Sequence, residues 1–205
     1  PIYAVATCAI LTELLPKVEL PITRQVADAL LTGIVSDSIG FRTSNTNIKA
    51  LKLSTILMKA GADLYALYNK ALISRPFSAA KYWGYALARM QRKDGLVWTS
   101  LTLEDRANSG YKLDDDADLT NLLSSIEESR VSVLFVEHSK SKTKISWRSV
   151  PGVDVSVLAA EYDGGGHPAA AGAELNKSLQ ETETLVVART LAFLQSIDRG
   201  EKGEI

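Results

Sequence analysis

A chain of 205 residues has room for one large or two small domains, and its 46% hydrophobic and 23% charged residues are an ordinary balance for a chain that buries a sizeable core. The formal net charge of -1 removes bulk charge as a nucleic-acid signal, so any such binding must rest on a local patch. The single cysteine, Cys8, excludes an internal disulfide and favours an intracellular, cytoplasmic setting, while no apolar run is long enough to span a membrane and no signal-type apolar core follows a basic N-terminus.

Residues 2–15 are apolar, with Ala4, Cys8, Leu11 and Leu15 at helical spacing, and Pro16 and Pro21 punctuate the turn that follows. Residues 22–35 repeat the period, placing Ile22, Val26, Ala29, Leu30, Gly33 and Ile34 on one stripe. That helix runs into Ser36, Asp37, Ser38 and, shortly after, Phe41 and Arg42. Asp37 reads either as a helix-end turn residue or as a metal-ligand carboxylate with Arg42 nearby for an anion. Residues 47–60 predict another amphipathic helix with Ile48, Leu51, Leu53, Ile56, Leu57 and Ala60 on its apolar positions, closed by Gly61. A short helix over 63–72 leads to the connector Ser74-Arg75-Pro76-Phe77-Ser78, where the domain boundary is set, and residues 77–92 are again helical.

The texture changes after Gly95. Residues 96–102 read as a strand, and Thr102 to Asp105 start a short helix. The acidic run Asp114-Asp115-Asp116-Ala117-Asp118 lacks the glycine and distal glutamate of an EF-hand. It is expected to cap a helix carrying Leu119, Leu122, Leu123 and Ile126. Residues 131–138 form a buried strand ending in His138, a strand-edge residue, and 139–142 a polar hairpin turn. The next strand alternates: Thr143, Ile145 and Trp147 face one way, and Lys144, Ser146 and Arg148 the other, with Lys140 and Lys142 near in sequence. This polar face is either an ordinary solvated face or a small basic surface for phosphates.

Residues 154–161 form a short helix leading into Asp163-Gly164-Gly165-Gly166-His167. Three glycines permit positive φ and close approach to a ligand, bare N–H groups suit an anion, and His167 can donate a hydrogen bond to a phosphate oxygen. The stretch matches neither the P-loop nor the dinucleotide-binding glycine spacing. Residues 173–175 then form a short strand. Ser178 and Glu181 match a capping box that opens a helix over about 179–197, with Leu185, Ala188, Leu191 and Ala192 inward. The tail from Asp198 to Ile205 is polar and expected to fray.

Gly164-Gly165-Gly166-His167-x-x-Ala170-Ala171-Gly172 resembles the signature of the DHH-associated C-terminal domain of the DHH phosphoesterases. Upstream, Thr32-Gly33-Ile34-x-x-Asp37-Ser38-x-x-Phe41-Arg42 resembles the last metal-binding motif of their catalytic domain, with Ser38 where threonine is usual. The strand Ser146-Trp147-Arg148-Ser149 also fits, and the likeness, nearest to the RecJ-like oligoribonuclease/pAp-phosphatase (nano-RNase) branch, covers essentially the whole chain. The resemblance implies an α/β fold: residues 1–75 as the helical remnant of a DHH catalytic domain, and 76–205 as a mixed-sheet substrate-binding domain with flanking helices. It implies a site of two manganese ions that activate a water for attack on phosphorus, with Asp37 as a metal ligand. Gly164, Gly165, Gly166 and His167 would bind the substrate phosphate, and Arg148 a phosphate or terminal nucleotide; Arg42 and Arg75 are lesser candidates.

The Asp-His-His motif that names the family is absent from this sequence, so the expectation is a C-terminal fragment, inactive by itself. Its parent would cleave short oligoribonucleotides or 3′-phosphoadenosine phosphate. The expected partners are short single-stranded RNA or DNA or a phosphorylated nucleotide, with no membrane, and a homodimer would cover apolar faces left open on residues 1–75. Two other readings stand beside this one. The first is a non-catalytic nucleic-acid-binding module, similar to the related domain of alanyl-tRNA synthetases. The second is another activity of the same family: cyclic-dinucleotide phosphodiesterase, exopolyphosphatase or single-strand exonuclease.

Overall fold

The computed structural model describes residues 5–43 and 45–200, and the chain forms two compact units, Pro1–Arg75 and Pro76–Ile205. Ala4 and the tail beyond Gly200, both named above, lie outside the described residues. Among the described residues no helix is long and apolar enough to cross a membrane.

The first unit is helical: α1 (Thr7–Lys17), α2 (Arg24–Asp37), α3 (Ile48–Lys59) and α4 (Leu64–Tyr68), the last running on into a π-helical turn over Asn69–Ile73. Each of α2, α3 and α4 starts at a side-chain cap. Thr23, Asn47 and Asp63 accept the backbone N–H of Val26, Ala50 and Ala66, groups that would otherwise be orphaned. The helix α3 closes in a Schellman arrangement at Gly61 (φ 100°): Gly61 N–H reaches Met58 O and Ala62 N–H reaches Leu57 O. Leu30, Leu31, Ile34, Val35, Leu53 and Leu57 make the core.

Several expected stripes are out of phase. Ala29 is exposed, as are Leu11 of α1 and Ile48, Leu51 and Ile56 of α3, because the inward positions are taken by Ala9, Ala27, Ala50 and Ser54. Small residues win those positions where helix backbones approach closely; a Cβ on Gly33 would run into Cys8. Pro16 does not end α1. It sits in the last turn, where it forfeits one helical bond before the helix stops at Lys17.

The second unit is built on a six-stranded mixed sheet of order β1-β2-β3-β4-β6-β5. The strands are β1 (Gln91–Lys93), β2 (Leu96–Leu101), β3 (Val131–Ser139), β4 (Lys142–Ser149), β5 (Gly165–His167) and β6 (Ala170–Leu175). Among the described residues only β2 and β3 pair in parallel, and α6 (Leu103–Ser109) and α7 (Leu119–Leu123) supply the crossover that such a pair requires. The expected helix over 77–92 is shorter: α5 spans Phe77–Ala88, and the polar Gln91–Lys93 pairs with β2 instead.

One face of the sheet packs on α8 (Ser156–Ala160) and α9 (Leu179–Asp198) through Trp98, Val133, Phe135, Ile145, Trp147, Ala171 and Ala173. The other packs on α5, α6 and α7 through Leu101, Leu134 and Val136, with Tyr82 stacked on Tyr111 at 5.3 Å. These latter helices pack on β2, β3 and β4.

The capping box at Ser178 and Glu181 forms as expected, but α9 turns Thr182, Val186, Thr190 and Leu194 inward, and Leu185, Ala188 and Ala192 outward. The rotation is set by Trp147, whose Nε1–H donates to Thr190 Oγ1 at 3.3 Å. The acidic run behaves differently from a helix cap. Asp118 has φ 64° and no capping bond; Asp115 accepts Tyr111 O–H and Ala117 N–H, and Asp116 accepts Asp118 N–H and Thr120 O–H, so the carboxylates fold the turn ahead of a one-turn α7.

Asp105 ties α5, β2 and α6 together. It completes the capping box with Thr102, and its 4% exposed carboxylate takes a two-pronged ion pair from Arg89 at the end of α5. Burial alone would raise the Asp105 pKa, but Arg89 and the Thr102 N–H and hydroxyl outweigh it and hold the group below its ordinary value. A depressed carboxylate stabilises the fold above its unfolded pKa, and that contribution is lost as pH falls through the folded value. Asp105→Asn is therefore expected to cost about 2–3 kcal/mol at pH 7, below the full value of a buried pair because Arg89 is partly exposed. The cost, read from urea unfolding, should shrink as pH drops below about 4, and an equal cost at pH 3 and pH 7 would count against the ion pair.

Candidate phosphate-binding site

The glycine stretch is not a bare loop. Gly165–His167 is the edge strand β5, joined to β6 through a tight turn at Pro168 and Ala169, and β6 begins at Ala170, earlier than the expected 173. Of the three glycines only Gly166 has positive φ (147°), and the chain enters the strand through Asp163 at φ 56°. Each glycine answers a different demand. A side chain on Gly164 would strike Gly172 O, the Ala173 methyl and Ala159 O; one on Gly166 would come within 2.5 Å of Ala170 O and Ala171 Cα. A Cβ on Gly165 would meet nothing within 4 Å. The fold therefore explains two of the glycines, and the third keeps open the space beside the strand.

The turn that follows His167 is gripped from β4 and the approach to α8. Ser149 N–H donates to Ala169 O at 3.1 Å, Val155 N–H to Pro168 O at 2.9 Å, and Ser149 Oγ lies 2.6 Å from Val153 O and 3.1 Å from Pro168 O. As an edge strand, β5 leaves the N–H groups of its outer side unpaired. Backbone donors for an anion thus come from a strand edge rather than from a nest.

Register brings the second charged group to the same place. Paired residues of adjacent strands share a face. Arg148 pairs with Ser132 on one side and Ala170 on the other, and Ala170 pairs with His167. Ser132, Arg148, Ala170 and His167 therefore form one row on the face away from α8 and α9, with Arg148 and His167 flanking the small Ala170. His167 is exposed, and its ring makes no hydrogen bond among the described residues. Arg148 is half-buried; one N–H donates to Trp147 O at 3.0 Å, and the remaining donors meet no acceptor among the described residues. Burial pulls the guanidinium below its ordinary pKa while Asp116 pulls it the other way, the signature of a cation short of an anionic partner. Ser132, 3% exposed, has an Oγ with no hydrogen-bond partner among the described residues. Ser132 was not picked out from sequence, and Ala170 was read there only as part of the glycine-histidine signature; the period of two would have placed both beside Arg148 had the pairing been known.

In the first unit, Asp37 is the exposed last residue of α2. The turn behind it is held by Ser38, which is fully buried: its Oγ donates to Ile34 O at 2.6 Å and accepts Phe41 N–H at 2.9 Å. Ile39, Gly40 and Phe41 all have positive φ (47°, 68° and 67°), unusual for Ile and Phe, and Gly40 lies against the Tyr68 ring. Burial first, and the Asp37 carboxylate second, push the Cys8 thiol up, away from a metal-binding thiolate. Arg42 is exposed, and Arg75 donates to Ser74 O at 2.9 Å. Among the described residues no group of three or more His, Cys, Asp or Glu could hold a metal ion. One carboxylate does not match the donor set of a two-manganese site.

Residues 107–194 match the family model of the DHHA1 domain. The bifunctional oligoribonuclease and PAP phosphatase NrnA of Thermus thermophilus is 33% identical over 171 residues, 83% of this chain and 51% of that protein. The protein of the same name from Mycoplasma genitalium is 28% identical over 181 residues, 88% of this chain and 56% of that one. The chain spans about half the length of the curated relatives it matches. A crystal structure of an exopolyphosphatase-related protein from Bacteroides fragilis covers 98% of this chain and 59% of its own, with a TM-score of 0.85 at 25% identity. Residues 107–194 thus match the DHHA1 domain, and over most of its length the chain is similar to part of the DHH-family proteins named NrnA.

Proposed function

We propose that this chain carries the phosphate-gripping part of a phosphoesterase that acts on short oligoribonucleotides or on 3′-phosphoadenosine phosphate. The observation that carries the reading is the row in which Arg148 and His167 flank Ala170, beside the unobstructed position at Gly165. A phosphate seated over Ala170 would take the guanidinium in a forked contact, an imidazole N–H, and backbone donors from the edge of β5. Such contacts orient a phosphoester without breaking it. Asp37 is assigned as one metal-ligand carboxylate and Arg42 as a weaker anion contact. The names of the relatives support the substrate class. The similarity to the exopolyphosphatase-related structure supports polyphosphate as a second reading.

Titration calorimetry with 3′-phosphoadenosine phosphate and a 5′-phosphorylated diribonucleotide tests the site. Binding should be weak and salt-dependent, and His167→Ala or Arg148→Gln should each weaken it by about tenfold or more, the scale of a hydrogen bond to a charged group. Variants that bind like the parent chain would refute the assignment, and displacement by tripolyphosphate in preference to the diribonucleotide would favour the second reading. With manganese added, the chain is expected to release no phosphate or mononucleotide; multiple turnover by a nuclease-free preparation would overturn that expectation.

The glycines separate fold from site. Gly166→Ala should destabilise by about 2–3 kcal/mol through strain and overlap. Gly165→Ala should change thermal stability by no more than about 0.5 kcal/mol while weakening phosphate binding. Equal loss of stability in both would place the two glycines in the same structural role.

A further inference from the structure

We infer that the sheet face carrying Arg148 and His167 continues as a track for a single-stranded oligonucleotide, with Ser146 in its middle and Lys144 at its far end. The inference rests on the reading of Arg148 and His167 as the phosphate-binding pair.

Moving along the strands from that pair, the next row on the same face is Leu134, Ser146, Gly172 and Gly165, and the one after it is Val136, Lys144 and Glu174. Successive rows lie about 7 Å apart, two residues of strand rise. Leu134 and Val136 belong to the core under α5, α6 and α7, and α7 reaches onto β4, so the most open part of each row is its β6–β5 side. In the middle row, Gly172 and Gly165 contribute no side chains, and the space beside Gly165 is clear. Ser146 borders this strip. It is only 8% exposed, yet its hydroxyl has no hydrogen-bond partner among the described residues. Its oxygen is not among the buried unpartnered ones and so is open to an external polar group.

The far row supplies charge. Glu174 is already held by Lys142 Nζ at 2.7 Å and His138 Nδ1 at 3.2 Å. Lys144, half-buried on the same face, makes no ion pair among the described residues. It is the cation of this row left for an external anion. The acidic turn at Asp116, close enough to act on Arg148, lies at the other end and repels a strand that strays toward α7. Rows about 7 Å apart suit phosphates separated by a sugar. Neighbouring phosphates of an inorganic polyphosphate share an oxygen and are packed more closely than the rows.

The track predicts a length dependence that the first row alone does not. Fluorescence polarisation with labelled 5′-phosphorylated di- and tetraribonucleotides should show tighter binding of the longer strand by the parent chain. Lys144→Gln should remove about three- to fivefold of the tetranucleotide affinity, the scale of a partly exposed ion contact, and lower its salt slope by about 0.7. It should leave dinucleotide affinity and thermal stability unchanged. Ser146→Ala should weaken the tetranucleotide by a smaller factor. Equal affinity for both lengths, or equal weakening of both by Lys144→Gln, would overturn the track while leaving the first row intact. If His167→Ala leaves both probes unaffected, or the parent chain binds neither, the phosphate assignment fails and the track fails with it.

Discussion

The register of β4 against its neighbours is the constraint on which the second unit depends, and Trp147 sets it. Its indole is fully buried, donates to Thr190 of α9 and stacks on Tyr162 with ring centroids 6.2 Å apart. A slip of one residue would carry that indole to the opposite face and bring Arg148 into the apolar core. Because Trp147 can face only α9, Arg148 must face away from it, and the pairing through β6 then places His167 in Arg148's row. The hydrophobic effect, acting on one large side chain, thereby aims a cation located next to it in sequence.

Each element around this row serves its geometry. Ser149 and Val155 hold the turn after β5 by its carbonyls, fixing where His167 leaves the sheet. Gly164 and Gly166 let β5 lie against α8 and β6 at backbone distance, and Gly165 leaves a gap beside it. The helices of that face are braced from below by Asp105, which caps α6 and anchors Arg89 of α5. The result is a sheet half covered on one face, with polar groups lacking partners where the cover stops.

The first unit shows the same economy on a smaller scale. The Ser38 hydroxyl reaches Ile34 O and Val35 O and accepts Phe41 N–H, bracing the three residues at positive φ that follow it, Ile39, Gly40 and Phe41. Backbone held in such a conformation persists where its surroundings over-determine it. Here the surroundings are the buried Ser38 hydroxyl and the Tyr68 ring against Gly40, and the consequence is a carboxylate presented at the end of a rigid helix.

Much of this was legible in the sequence, for local reasons. The alternation of β4, the capping box at Ser178 and Glu181, the closing glycine at 61 and the helix along α2 depend on neighbours within a few residues, and they appear as read. Helix rotation was less legible: Leu185 and Leu11 lost their inward places to Thr190 and Ala9, because close packing favours a small or bonded side chain over a larger apolar one. The glycine-histidine stretch has a structural role that differs from the one expected. It is an edge strand, and a strand needs a partner that only the fold can name. From the sequence alone came the chemical groups, the family likeness and the two faces of β4. Only the tertiary structure decided that Ala170 stands between Arg148 and His167, and that Ser146 and Lys144 continue the same face, because pairing between strands distant in the chain is settled by burial of a shared core.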